Sequence, residues 1–338
     1  MELKGKTVLV TGGCGLIGST IVDLLIEREG VKAVRIIDDL SRGTLGNIER
    51  ARAGGHVALI REDIRHFDAI RPYFDGVDVV FHQAALRITA CADRWRDCQE
   101  VLVDGTFNVV EACVQAKVGR LVAASSASVY GLADVFPTPE SHALYGNRTL
   151  YGAAKIANEA LYRAVHEMTG LSYVALRYFN VYGPRMDAFG KYTEVLIRWL
   201  DCLDEGTRPR IFGDGQQTMD FVFSEDVARA NILAARGDVS DEVCNVASGR
   251  ETSLRGLLDG LLEVTGHADV EPEFFPERSV NPVPRRLACV EKARRLLGFE
   301  SRVGLEEGLR RLVEWRDETL KRERNPHDDP HHAAVGRV

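Results

Sequence analysis

The first half of the chain alternates short apolar runs with longer stretches whose apolar positions recur at helical spacing. Thr7-Val8-Leu9-Val10 suits a buried parallel strand, and Leu16 to Glu29 follows with apolar residues at 17, 21, 24 and 25. Val34 to Asp38 predicts a second strand, His56 to Ile60 a third, Val77 to His82 a fourth, Arg120 to Ala124 a fifth and Ser172 to Arg177 a sixth. Asp97 to Lys117 and Leu150 to Met168 predict long helices. This alternation implies an α/β fold built on a doubly wound parallel sheet. After Arg177 the pattern loosens. Tyr178 to Arg185 is expected to be a loop, Tyr192 to Leu203 a helix, Arg210 to Gly215 a strand and turn, and Ser224 to Ala235 a helix with Ser224 as N-cap. A last helix is expected from Leu305 to Lys321. The expected organisation is a first domain over 1–180, with 214–248 returning to it, and a smaller C-terminal α/β domain from 181–213 and 249–322. Residues 323–338 form a polar tail whose His327, His331 and His332 read as a disordered end rather than a metal site.

Composition narrows the function. Hydrophobic residues make up 45% and charged residues 28% of the 338, which is ordinary for a soluble globular protein. A net charge of -7 argues against nucleic-acid binding, and no apolar run has the roughly 18 residues of a membrane helix. The first strand starts too early for a signal peptide. The seven cysteines are odd in number and contain no C-x-x-C, so a reduced, cytoplasmic location is expected. Cys91 and Cys98, on one predicted helix, read as thiols rather than metal ligands, and no metal is expected.

Chemistry begins at Thr11-Gly12-Gly13-Cys14-Gly15-Leu16-Ile17-Gly18, between a strand and a helix. In that context Gly12 permits a tight turn, Gly15 lets backbone approach a pyrophosphate, and Gly18 lets helix and strand pack closely. The helix N-terminus favours phosphate. Asp38 ends the second strand 20 residues after Gly18, where a carboxylate holds the ribose 2′-hydroxyl of NAD. It would repel a 2′-phosphate, so NAD is favoured over NADP, with Arg35 and Arg42 weighing the other way. Gln83-Ala84-Ala85, after the fourth strand, are residues suited to backbone near a cofactor.

Tyr151 and Lys155 lie four apart on one predicted helix and share a face. A nearby cation stabilises phenolate, so Lys155 and an oxidised nicotinamide would lower the tyrosine pKa. Tyr151 could then take a proton from a sugar hydroxyl while hydride leaves the same carbon. Ser126, ending the fifth strand within Ser125-Ser126-Ala127-Ser128-Val129-Tyr130-Gly131, could orient that hydroxyl.

In this order, together with Asp63-Ile64, His82-Gln83-Ala84-Ala85, Arg177 to Arg185 and Ile211-Phe212-Gly213-Asp214-Gly215, these motifs resemble an extended short-chain dehydrogenase/reductase of the nucleotide-sugar epimerase/dehydratase family. The resemblance spans Thr7 to about Trp315. It implies a Rossmann domain followed by a substrate domain, a bound NAD, a UDP-sugar substrate, and a homodimer formed through a four-helix bundle of the helices at 97–117 and 150–168. Phe107, Val110, Leu161 and Val165 offer apolar surface for that bundle. Gly12, Gly15, Leu16, Ile17, Gly18, Asp38, Gln83, Ala84, Ala85, Tyr151 and Lys155 would bind the cofactor, with Asp63 and Ile64 at its adenine and Arg87 near its phosphates. Ser126, Ser128, Tyr151, Arg87, Asn180, Arg185, Phe212 and Arg278 would bind substrate, Asn180 at the diphosphate and Phe212 against the base.

Within the family, Ser126-Ala127-Ser128 lacks the glutamate that dehydratases and similar decarboxylating enzymes carry there. The pattern that remains is that of 4-epimerases: oxidation at C4, a 4-keto intermediate, and re-reduction on the other face. A net reductase or dehydrogenase of a nucleotide sugar is the alternative, and a non-catalytic NAD-sensing protein a more remote one. Met219 stands where the family has a diphosphate arginine, and Leu102 where an asparagine is common. Arg185, Arg278 and Arg285 are the candidates to replace the lost charge. UDP-glucuronate 4-epimerases have a similar Gly-Pro-Arg turn with its arginine on the sugar carboxylate, so Arg185 favours UDP-glucuronate slightly over UDP-glucose.

Overall fold

In the computed structural model, which describes residues 1–188, 194–277 and 283–324, seven parallel strands form one central sheet. They are β1 (Thr7–Thr11), β2 (Ala33–Ile37), β3 (Val57–Ile60), β4 (Val79–His82), β5 (Arg120–Ser126), β6 (Tyr173–Tyr178) and β7 (Glu242–Val246). Their order is β3-β2-β1-β4-β5-β6-β7. The order reverses between β1 and β4, which opens a crevice at the carboxyl ends of those strands.

Successive residues of β1 feed opposite faces, as strand geometry requires. Val8 and Val10 join Ile21, Val22 and Leu25 of α1 (Leu16–Glu27) and Val227 and Ala230 of α4 (Ser224–Arg236). Leu9 joins Val109 and Val110 of α2 (Gly105–Gln115) and Tyr162 of α3 (Leu150–Thr169). Helices thus cover both faces, which is why the strands read as continuous apolar runs. A third core packs the helices Val195–Asp204 and Leu254–Thr265 against α5 (Leu305–Arg324), around Trp199, Leu200, Leu257, Leu258, Leu261 and Leu309. Among the described residues no helix is long and apolar enough to cross a membrane.

Five local expectations need correction. Residues 178–185 are not all loop, because Asn180–Tyr182 is a short strand parallel to Phe221–Phe223. Ser224 is the first helical residue rather than the cap; Phe223 holds the cap position without a side-chain bond. The single helix expected from Asp97 is a short helix, Trp95–Gln99, then a π-helical turn, Glu100–Asp104, leading into α2. Cys91 belongs to a separate helix, Ile88–Asp93, which ends at Arg94 with φ -123° and ψ 76°. The two thiols are buried, and all seven cysteines are free of disulfides. Val110 is core rather than outward-facing, whereas Phe107 is 49% exposed. The expected start of a helix at Tyr192 and the histidine tail lie outside the described residues.

Candidate active site

The crevice between β1 and β4 is the mouth of a cavity of about 1410 Å³. The glycine turn forms one wall. Gly12 has φ +67°, and a Cβ there would stand 2.7 Å from the Ala84 nitrogen. A Cβ on Gly18 would stand 2.1 Å from the Gly12 carbonyl oxygen, so only glycine lets α1 pack this close. A Cβ on Gly15 would meet only the Gly12 oxygen, at 3.4 Å, on the wall of the cavity. No side chain caps the first N–H groups of α1. At the tip of β2, the Asp38 carboxylate accepts from the Cys14 N–H at 2.8 Å and the Leu40 N–H at 2.9 Å. Burial raises its pKa, and these two bonds work in the opposite direction. Asp63 and Ile64 line the same cavity, Asp63 paired with Arg65 at 2.6 Å.

A buried chain of hydrogen bonds sets the end of β4. His82 bonds the Thr11 hydroxyl through Nδ1 at 2.7 Å and the Thr106 hydroxyl through Nε2 at 2.9 Å, and Thr11 Oγ1 accepts from the Ala84 N–H at 3.2 Å. Burial, with help from the Lys155 charge, pushes the His82 pKa down to about 3, so the ring is neutral. The Gln83 amide is held between the Tyr178 hydroxyl, at 3.0 Å, and Asn231 Oδ1, at 3.1 Å.

β5 and α3 carry the residues expected to be catalytic. Thr149 caps α3, its hydroxyl accepting from the Gly152 N–H at 3.0 Å, and this fixes the first turn that carries Tyr151. The phenol and the Ser126 side chain line the same cavity, and Ser126 acts to lower the pKa of the phenol. Ser126 Oγ accepts from the Ser128 N–H at 3.1 Å. Lys155 Nζ donates to the Ala124 carbonyl at 2.8 Å and stands 5.8 Å from the centre of the Tyr151 ring. Burial pushes the Tyr151 pKa up to about 12, opposed by Ser126 and by the charges of Arg42 and Arg286. Burial also pulls Lys155 down to about 8. The sequence led us to expect a lowered tyrosine pKa; in this state desolvation outweighs the cations.

The other expected residues are placed unequally. Ala85, Arg87, Ser128 and Asn180 line the cavity, with Arg87 paired to Glu194 at 3.1 Å and Asn180 Nδ2 donating to the Asp220 carbonyl at 3.2 Å. Arg185 also lines it, but its guanidinium is committed to Asp23 of α1 at 2.5 Å. Arg285 faces away, bonded to Glu251 at 2.7 and 2.8 Å and stacked over Phe136. Phe212 packs on Phe275 and is not among the cavity-lining residues. Arg278 lies outside the described residues. Sequence reasoning missed Arg286 and the placement of Arg42, both of which line the cavity. For Arg286 the only signal was the adjacent pair Arg285-Arg286, which does not tell which side chain turns inward.

Comparison with known proteins agrees with this geometry. The model of the NAD dependent epimerase/dehydratase family matches residues 8–247. A putative UDP-glucose 4-epimerase of Methanocaldococcus jannaschii is 34% identical over 91% of this chain and 97% of its own. The solved UDP-N-acetylglucosamine 4-epimerase of Methanobrevibacter ruminantium superposes with a TM-score of 0.88 at 33% identity, covering 94% of this chain and 99% of that one. The UDP-glucuronic acid 4-epimerase of Bacillus cereus, solved with UDP-glucuronic acid and NAD, gives 0.84 at 27% identity, covering 93% and 99%. By motif order, fold and similarity alike, this chain belongs to the NAD dependent epimerase/dehydratase family.

Proposed function

We propose that this chain is a UDP-sugar 4-epimerase. The observation that carries the reading is the gathering of Ser126, Tyr151 and Lys155 on the cavity that the glycine turn lines, with Lys155 Nζ 5.8 Å from the centre of the Tyr151 ring. NAD fits the residues present. A Cβ on Gly15 would fill the wall where a diphosphate passes, and the Asp38 carboxylate, already ordered by two backbone bonds, keeps acceptor capacity for a ribose hydroxyl. Gly12, Gly15, Gly18, Asp38 and Lys155 would hold it, with Asp63 and Ile64 at the adenine. When bound, it supplies a hydride acceptor and donor for the sugar carbon.

The chain itself handles the proton. Tyr151 takes it from the C4 hydroxyl and returns it after the sugar has presented its other face, while Ser126 orients that hydroxyl. Lys155, anchored on Ala124, adds positive charge behind the phenol. The neighbouring positions are Ala127 and Ser128, so no carboxylate stands there to move a C5 proton. The test is incubation of the purified protein with a panel of UDP-sugars and separation of the C4 epimers. Epimerisation without added nicotinamide supports the reading; turnover that consumes added NAD(P)H supports a net reductase instead.

Three further parts of the proposal concern the whole protein. The division is a cofactor domain over 1–180 with 214–248, and a substrate domain over 181–213 and 249–322. Exposed Phe107 and Met168, on α2 and α3, support a homodimer through those helices, which light scattering at micromolar concentration tests. Seven unpaired cysteines fit a reduced, cytoplasmic setting.

A further inference from the structure

Arg286 sits on a segment fastened along its length. Its N–H donates to the Thr218 carbonyl at 2.9 Å, and Cys289 donates to Thr138 at 3.0 Å. Ala288 donates to the Asp220 carboxylate at 3.3 Å. Arg285 turns outward to Glu251, and Arg286 lines the cavity with Ser126, Ser128 and Tyr151. Behind it, Arg286 borders a small crevice shared with Ala127 and Phe179. Its Nε and Nη2 are buried and have no hydrogen-bond partner among the described residues. Burial lowers its pKa to about 10, so the guanidinium remains charged at neutral pH.

A buried cation with two unmade hydrogen bonds is costly unless an anion completes it. Ala127, which Arg286 borders, is flanked by Ser126 and Ser128, and this places the guanidinium at the end of the cavity that Tyr151 lines. Arg185 and Arg87 already have carboxylate partners, Asp23 and Glu194. We propose that Arg286 is an anion subsite for a carboxylate carried by the sugar, so that the preferred substrates are UDP-hexuronic acids. This rests on the reading of the cavity as a UDP-sugar site. A guanidinium accepts a carboxylate through paired N–H donors, which fixes the ring as well as adding affinity. The competing anion is the substrate's diphosphate, because Thr218 adjoins Met219, which also lines the cavity.

The test uses the full chain with its cofactor, and UDP, UDP-glucose and UDP-glucuronate as probes. Affinity by calorimetry and kcat/KM are measured for wild type, Arg286→Met and Arg286→Lys, with retained NAD as the check on folding. Wild type should prefer UDP-glucuronate. Arg286→Met should lower the acid-to-neutral selectivity by about 10- to 100-fold, the scale of a hydrogen bond to a charged group. Arg286→Lys should recover part of that loss, and affinity for UDP should move far less than affinity for UDP-glucuronate. Equal losses on all three probes would assign Arg286 to the diphosphate and overturn the inference. So would a wild type that binds the neutral sugar as well as the acid. Selective binding of UDP-glucuronate with no epimer formed, or with release of CO₂, would keep the subsite and overturn the 4-epimerase reading instead.

Discussion

Tyr151 shows how burial and charge compete at a single phenol. Burial holds its pKa up to about 12 against Ser126 and the charges of Arg42 and Arg286, so the proposed proton transfer calls for positioning and added positive charge. Tyr151→Phe keeps the ring and removes the acceptor. Turnover should fall on the order of 10²–10⁴-fold with NAD still bound, measured by epimer formation and by nucleotide released on denaturation. His82 carries a pH prediction. Its pKa is about 3 in the folded chain and near 6.5 when unfolded. Between those values the unfolded chain binds a proton that the folded chain does not. Stability contributed by neutral His82 is therefore present above pH 6.5 and is lost as pH falls towards 3, by up to about 1.4 kcal/mol per unit. In urea titrations the stability gap between wild type and His82→Gln should narrow from pH 7 to pH 5. That Gly12, Gly15, Asp38, Tyr151 and Lys155 meet at one cavity was legible because they belong to motifs with short spacings. The inward turn of Arg286 was not, because it depends on Thr218, Tyr151 and Ala127, which only the fold brings near it.

At the scale of elements, two local devices hold the chemistry in place. The start of α1 packs on the turn before it, and Gly18→Ala would press a methyl group onto the Gly12 carbonyl oxygen. That variant should purify with much less NAD, assayed after denaturation, while far-ultraviolet dichroism shows the sheet intact. The start of α3 depends on the Thr149 cap, and Thr149→Ala should cost about 1 kcal/mol in chemical unfolding. Because Tyr151 lies in that first turn, kcat should fall as well, with KM moving less. Six of the seven main strands and α1, α3 and α5 were legible to within a few residues from their apolar patterns, whereas β7 (Glu242–Val246), at the sheet edge beside β6, was not. Asn180–Tyr182 was not, because its three residues become a strand only by pairing with Phe221–Phe223. The π-helical turn at Glu100–Asp104 has no periodic signature that separates it from the helix it leads into.

Across the whole molecule, distant segments meet around one carboxylate and one amide. Asp220 accepts from the N–H groups of Ser248, Gly249 and Ala288, and Asn245 donates to the Thr138 and Cys289 carbonyls. The segment that carries Arg286 is thereby braced to the main sheet, so a change of side chain at 286 need not move the backbone. Two buried guanidinium nitrogens without partners cost stability on the order of 1–3 kcal/mol. Arg286→Met should accordingly raise the melting temperature of the substrate-free protein. The wild type should show a larger upward thermal shift with an acidic UDP-sugar than with a neutral one, and the variant should lose that difference. The position then behaves as a reversible trade between robustness and discrimination. A lineage that stopped meeting acidic sugars would gain stability by discarding the arginine, so drift at this one codon would record what the enzyme's ancestors had to process.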